Sequence, residues 1–87
     1  MNQYEKAVVA ARADFENYAK TAASGSEAER ICASILADYS ENGNGLLPAY
    51  FQDRLAELAK VAGEGQQELV QSAERLRQAA QDNEDYF

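Results

Sequence analysis

Of the side chains that ordinarily carry chemistry, this sequence offers one thiol, Cys32, and fifteen carboxylates, with no histidine to activate either. Histidine is the usual general base and the commonest metal ligand, so its absence weighs against most hydrolytic and metal chemistry at once. Cys32 follows Ile31 and precedes Leu36 by four residues. A lone cysteine on such an apolar helix face is usually a small buried hydrophobe. No neighbouring base lowers its pKa toward that of a nucleophile. A single cysteine also excludes an internal disulfide and any multi-cysteine metal site.

Carboxylates recur four residues apart in Asp53 and Glu57 and in Glu64 and Glu68, and two apart in Glu27 and Glu29. Di-metal helical bundles use such pairs, but together with Glu-x-x-His, which this chain lacks. Glu16 with Lys20, Glu27 with Arg30, and Glu74 with Arg77 read instead as surface ion pairs along a helix. Glu29 is the exception, because it falls on the apolar seam described below. There it would mark the entry of a basic or polar group from a partner. No catalytic residue, metal or cofactor is expected, and the chain does not read as an enzyme.

Fifteen acids against eight bases give a formal charge of −7. A nucleic-acid binder needs a basic stripe to neutralise phosphates, and none is present. The opening Met-Asn-Gln-Tyr-Glu-Lys has no signal-peptide core, and no apolar run reaches membrane length. The expected location is the cytoplasm, with any export following a route without a conventional signal peptide, and no membrane insertion is expected.

These side chains must be carried by helices. Asn42-Gly43-Asn44-Gly45 disfavours helix, and Leu47-Pro48 follows at once, with the proline suited to a first helical turn. The loop lacks the lysine and preceding strand of a phosphate cradle, so it is a turn. The spacing predicts one helical arm over about residues 2–41 and a second over about 48–83, in a single domain spanning 1–87.

On the first arm, Tyr4, Val8, Ala11, Phe15, Tyr18 and Ala22 alternate steps of four and three, as do Cys32, Leu36 and Tyr39 further on. Gly25 and Glu29 occupy the same series between them. On the second arm, Phe51, Leu55, Leu58, Ala62, Gly65, Leu69, Ser72, Leu76, Ala79 and Asn83 do likewise. This is a heptad seam, and it keeps phase through Gly25 and through Gly63-Glu64-Gly65. A break usually resets the phase, so each arm is expected to be continuous. The competing reading is a break at each glycine site, with Ser26-x-x-Glu29 as a capping box opening a new helix.

Folded antiparallel about Asn44, the arms place positions summing to about 88 opposite one another, which sets Gly25 against Gly63. The small residues would then allow close backbone approach, or mark aligned breaks. Apolar weight gathers near the turn, at Ile31, Ile35, Leu36, Leu46, Leu47, Phe51 and Leu55. The other end is expected to be looser, and the acidic tail Asp82-Asn83-Glu84-Asp85 is expected to fray against the helix dipole. The fold class is all-α: an antiparallel helical hairpin with a central turn at 42–46, packing as or into a four-helix bundle. Two rods of about forty residues, ~60 Å long, bury too little along one stripe to order themselves. The chain must either dimerise or fold each arm at its glycines, and the first is the expected route.

A chain of this length with two helical arms and a G-x-G central turn resembles the W-x-G helical-hairpin proteins of type VII (ESX) secretion. The detailed likeness lies in Gly43-Asn44-Gly45-Leu46-Leu47-Pro48-Ala49-Tyr50-Phe51, where Gly45 matches the motif glycine and Tyr50 or Phe51 the following aromatic. Gly43 stands where that motif has tryptophan, and no tyrosine here is followed four residues later by an acid, as the family's Y-x-x-x-D/E export signal requires. The resemblance implies a divergent secreted partner, adaptor or chaperone without catalysis of its own.

The sequence therefore reads as a protein-binding helical module that pairs through its seam with another helical chain or with itself as a homodimer. The residues expected to carry that pairing flank the turn: Tyr39, Leu46, Leu47, Tyr50, Phe51 and Leu55. The alternative is a small acidic inhibitor or immunity-type protein that covers a basic surface of its target.

Overall fold

Both arms are broken, and at the same level. The computed structural model describes residues 2–38 and 48–86, and within them α1 spans Gln3–Ala19, α2 Glu27–Asp38, α3 Pro48–Val61 and α4 Gln67–Tyr86. A 3-10 turn over Glu64–Gln66 leads into α4. The expected central turn at 42–46 lies outside the described residues.

The expectation of continuous arms is overturned, and the reason is local hydrogen bonding. After Tyr18, the Thr21 hydroxyl donates to the Tyr18 carbonyl at 2.6 Å, and Gly25 takes a φ of +78°, outside the helical region. The Glu29 amide then donates to Ser26 Oγ at 3.2 Å, while Glu29 Oε1 accepts from the Gly25 amide at 2.9 Å. Ser26 thereby caps the start of α2, while the Glu29 carboxylate reaches one residue further back than in a strict capping box, to Gly25 instead of Ser26. At the second break Gly63 has no side chain to cap with, but Gln66 Oε1 reaches back to accept from its amide at 3.2 Å. The first helix opens in the same manner, with Glu5 N–H on Asn2 Oδ1 at 2.9 Å and Asn2 N–H on Glu5 Oε1 at 3.3 Å.

On the second arm the buried face keeps its heptad phase through the break, because α3 and α4 turn the same face to a common core, whereas on α2 it moves to Ala28, Ile31, Cys32 and Ile35. α1 packs along α4 and α2 along α3, and each arm folds back so that α1 also meets α2 and α3 meets α4. No contact of this kind joins α1 to α3 or α2 to α4 among the described residues, so the four helices form a ring around one core. The chain measures 36 × 21 × 19 Å, far shorter than a rod of about 60 Å.

The hairpin register holds. Arg75 on α4 donates to Asp14 on α1 at 2.7 Å, and the rings of Tyr4 and Tyr86 lie 4.6 Å apart. These pairs sum to 89 and 90, within two of the expected register. Close backbone approach at the glycines is excluded, since a Cβ at Gly25, Gly63 or Gly65 would meet nothing within 4 Å.

Val8 and Phe15 on α1 are fully buried, as are Phe51 and Leu58 on α3, and Ser72, Ala73 and Leu76 on α4. Ser72 satisfies its hydroxyl by donating to the Leu69 carbonyl at 2.7 Å. On α2 the buried face is Ala28, Ile31, Cys32 and Ile35, with Leu36 only partly covered. The apolar weight is thus not confined to the turn end. Ala73, Ala79 and Ala80 on α4 share one buried core with Val8 and Phe15 on α1, and α1 with α4 is the most extensively packed pair among the described residues.

The second arm extends past its expected end near residue 83. α4 runs to Tyr86, held by the Tyr4 ring and by bonds from Gln78 Nε2 to Asp82 at 2.9 Å and Gln81 Nε2 to Asp85 at 3.0 Å. The antiparallel packing also sets these acids beside the start of α1, whose dipole end is positive.

Candidate functional site

Of the residues expected to carry binding, the structure describes the side chains of two, Phe51 and Leu55. Tyr39, Leu46 and Leu47 lie outside the described residues, and Tyr50 is on the first turn of α3 with its side chain likewise undescribed. Phe51 is fully buried and Leu55 is 9% exposed, so both belong to the core of the single chain.

Cys32 is 2% exposed, and burial pushes its thiol up to about 11. At neutral pH burial keeps it protonated in the core. The Glu29 carboxylate accepts from the Gly25 amide at 2.9 Å. Glu27 pairs with Arg30, and Glu74 with Arg77 at 2.6 Å, as the spacing predicts. Glu16 pairs with Arg12 at 3.1 Å rather than with the expected Lys20. Among the described residues no group of three or more Cys, Asp or Glu side chains is arranged to hold a metal ion.

Arg12 is the polar residue the sequence did not announce. It bonds Glu16 on its own helix and donates to the Leu36 carbonyl at 3.2 Å. One guanidinium thereby caps the C-terminal end of α2 from across the α1/α2 junction, where a cation is favoured. Nothing in its spacing distinguishes it from a surface arginine.

Two shallow surface hollows lie between α3 and α4. One hollow of about 360 Å³ is bounded by Ala59, Ala62, Gly63, Gln67, Val70 and Gln71. A second of about 340 Å³ adjoins it, sharing Ala59 and Val70 and reaching Gln52, Leu55 and Ala56. Because they share Ala59 and Val70, the two hollows are treated as one shallow trough lined in part by small and branched apolar side chains. Its rim is mostly glutamine, with the Glu74–Arg77 ion pair toward the far end. On the opposite side of the ring, a hollow of about 300 Å³ between α1 and α2 is edged by Glu16, Lys20 and Glu29, with Cys32 among its lining residues.

Two of the trough's three alanines, Ala56 and Ala59, fall beside the seam, and only Ala62 lies on it. Ala56 and Ala59 look like neutral helix filler until α4 is set alongside α3. Among the described residues no helix is long and apolar enough to cross a membrane. In comparisons with known proteins, no family model, curated protein or solved structure matches this chain.

Proposed function

We propose that this chain is a non-enzymatic protein-binding helical module, and that the face it offers is the trough between α3 and α4. The continuity of the two hollows through Ala59 and Val70 carries this reading. An amphipathic helix docks by laying residues at i, i+3, i+4 and i+7 into such a groove, and small side chains on the floor let the two backbones approach. The protonated, buried thiol and the ion-paired carboxylates support the absence of catalysis. The likeness to W-x-G hairpins supplies the process to examine first, type VII secretion, with the chain as a partner or chaperone.

Ala59 is exposed and borders both hollows, so Ala59→Arg fills the trough without touching the core. The test is cross-linked capture from the native host, with the wild-type chain and with Ala59→Arg as baits. A protein retained by the wild type and lost by the variant is expected. Equal retention by both would overturn the assignment of the trough.

A second reading has one observation in its favour. Asp82, Glu84 and Asp85 are exposed on the last turns of α4, an acidic corner suited to a basic target surface. This acidic-inhibitor reading predicts capture that weakens steeply with salt and is lost on neutralising those three acids, while Ala59→Arg leaves it intact.

A further inference from the structure

We infer that the trough takes an amphipathic helix of defined charge order from another protein: its flank beside α3 carries a base opposite Asp53 and Glu57 and, one heptad along, an acid opposite Lys60. This rests on the trough being the binding face.

The edge of α3 sets the order. Gln52, Ala56 and Ala59 line the trough, and each is followed by a charged residue, Asp53, Glu57 and Lys60 in turn. One step along a helix is about 100° around it, so these three stand on the outer margin of the trough rather than within it. All three are exposed.

Their charges are also open. Four arginines elsewhere on the surface are paired with acids: Arg12 with Glu16, Arg30 with Glu27, Arg75 with Asp14 and Arg77 with Glu74. Asp53, Glu57 and Lys60 make no ion pair or hydrogen bond among the described residues. Asp53 and Glu57 are moreover like charges four apart on one helix, an arrangement that weakens the helix unless something else answers it. A basic side chain lying along the margin answers both at once.

The opposite edge is different. Along α4 the trough is bordered by the uncharged Gln67 and Gln71, and the Glu74 carboxylate there is already held by Arg77 at 2.6 Å. Open charge therefore lies on one edge only. A helix turned end for end in a groove presents its other flank to each edge, so a partner charged on one flank seats in a single direction. The apolar stripe over Ala59, Ala62 and Val70 supplies contact area, and the charged margin supplies direction and selectivity.

The test uses fluorescent, hydrocarbon-stapled helical peptides with a leucine and alanine stripe and serine on one flank. The other flank carries arginine and glutamate one heptad apart, in either order. Fluorescence anisotropy reads their binding to the full chain, to Asp53→Lys/Lys60→Asp, to the neutral Asp53→Asn/Lys60→Gln, and to Ala59→Arg. The wild type is expected to bind one order at least about fivefold more tightly than the other, from two exposed pairs made or opposed. The charge-swapped chain is expected to reverse that preference, the neutral chain to lose it, and Ala59→Arg to bind neither peptide. Equal binding of both orders by the wild type, or a preference that the swapped chain keeps, would overturn the charge order while Ala59→Arg still vouches for the trough. Binding that survives Ala59→Arg, or no binding of either peptide, would remove the trough itself and the inference with it. Self-association of the wild type in sedimentation that Ala59→Arg abolishes would give the trough to a second copy and overturn the inference as well.

Discussion

The guanidinium of Arg12 on α1 donates to the main-chain carbonyl of Leu36 on α2 at 3.2 Å, across 24 residues of sequence. In an unbroken helix those residues would stand about 36 Å apart. The bond therefore exists only because the first arm folds back, and it holds the two halves of that arm together while capping α2. Hydrogen bonds from a charged donor contribute about 1.5–3 kcal/mol. Arg12→Met, which keeps the apolar stem, should lower the urea-unfolding free energy by that order. Glu16→Gln, which touches only the exposed end of the Arg12–Glu16 pair, should cost less than about 1 kcal/mol.

The core is small enough for one truncation to decide folding. Leu76 is fully buried, and Leu→Ala at such a site costs about 2–5 kcal/mol. For a domain of this size, with about 5 kcal/mol or a little more in total, Leu76→Ala should be largely unfolded at 37 °C by circular dichroism. Val61, 42% exposed, should tolerate Val61→Asp within about 0.5 kcal/mol.

The first break should behave as a helix start rather than as slack. Ser26→Ala removes the acceptor for the Glu29 amide and should cost about 1 kcal/mol in thermal or urea melts. Gly65→Ala should instead stabilise by about 0.4–1 kcal/mol, because the backbone there suits alanine and the unfolded chain loses freedom.

Cys32 gives the chain an alkaline liability. Its thiol titrates near about 11 when folded, against 9.0 ordinarily, so the folded state holds the proton more tightly. Its stabilising effect is intact below pH 9 and is lost as pH rises toward 11, at up to about 1.4 kcal/mol per pH unit. Urea titrations from pH 8.5 to 10.5 should show this slope in the wild type and a shallower one in Cys32→Ala.

Much of the scaffold is legible in the sequence. The seam on the second arm names Phe51, Leu55, Leu58, Leu69, Ser72, Leu76 and Ala79 correctly as buried, because heptad spacing depends only on helical geometry. The hairpin register follows from the same geometry, as the Asp14–Arg75 bond shows. Continuity of the arms does not follow. Phase preserved through Gly25 and Gly63 suits a straight helix and a folded one equally, and the decision falls to the Ser26–Glu29 box, whose energy the periodicity does not register. The face of α2 slips for a related reason: freed from α1, it centres on Ile31 and Ile35 rather than on Leu36. The trough depends on the pairing of α3 with α4, and Arg12 on that of α1 with α2. Both are products of folding back, which no single arm displays.

The central structural claim is that the first arm folds on itself in a single chain, and one distance tests it. Ala13 and Ala37 are exposed and lie 24 positions apart, as Arg12 and Leu36 do. Spin labels on Ala13→Cys and Ala37→Cys, in a Cys32→Ala background and diluted with unlabelled chain, report the intramolecular separation by pulsed electron resonance. The folded-back arm predicts a dominant distance below about 25 Å in the monomer peak, whereas a dominant distance near the ~36 Å of a continuous helix would contradict it.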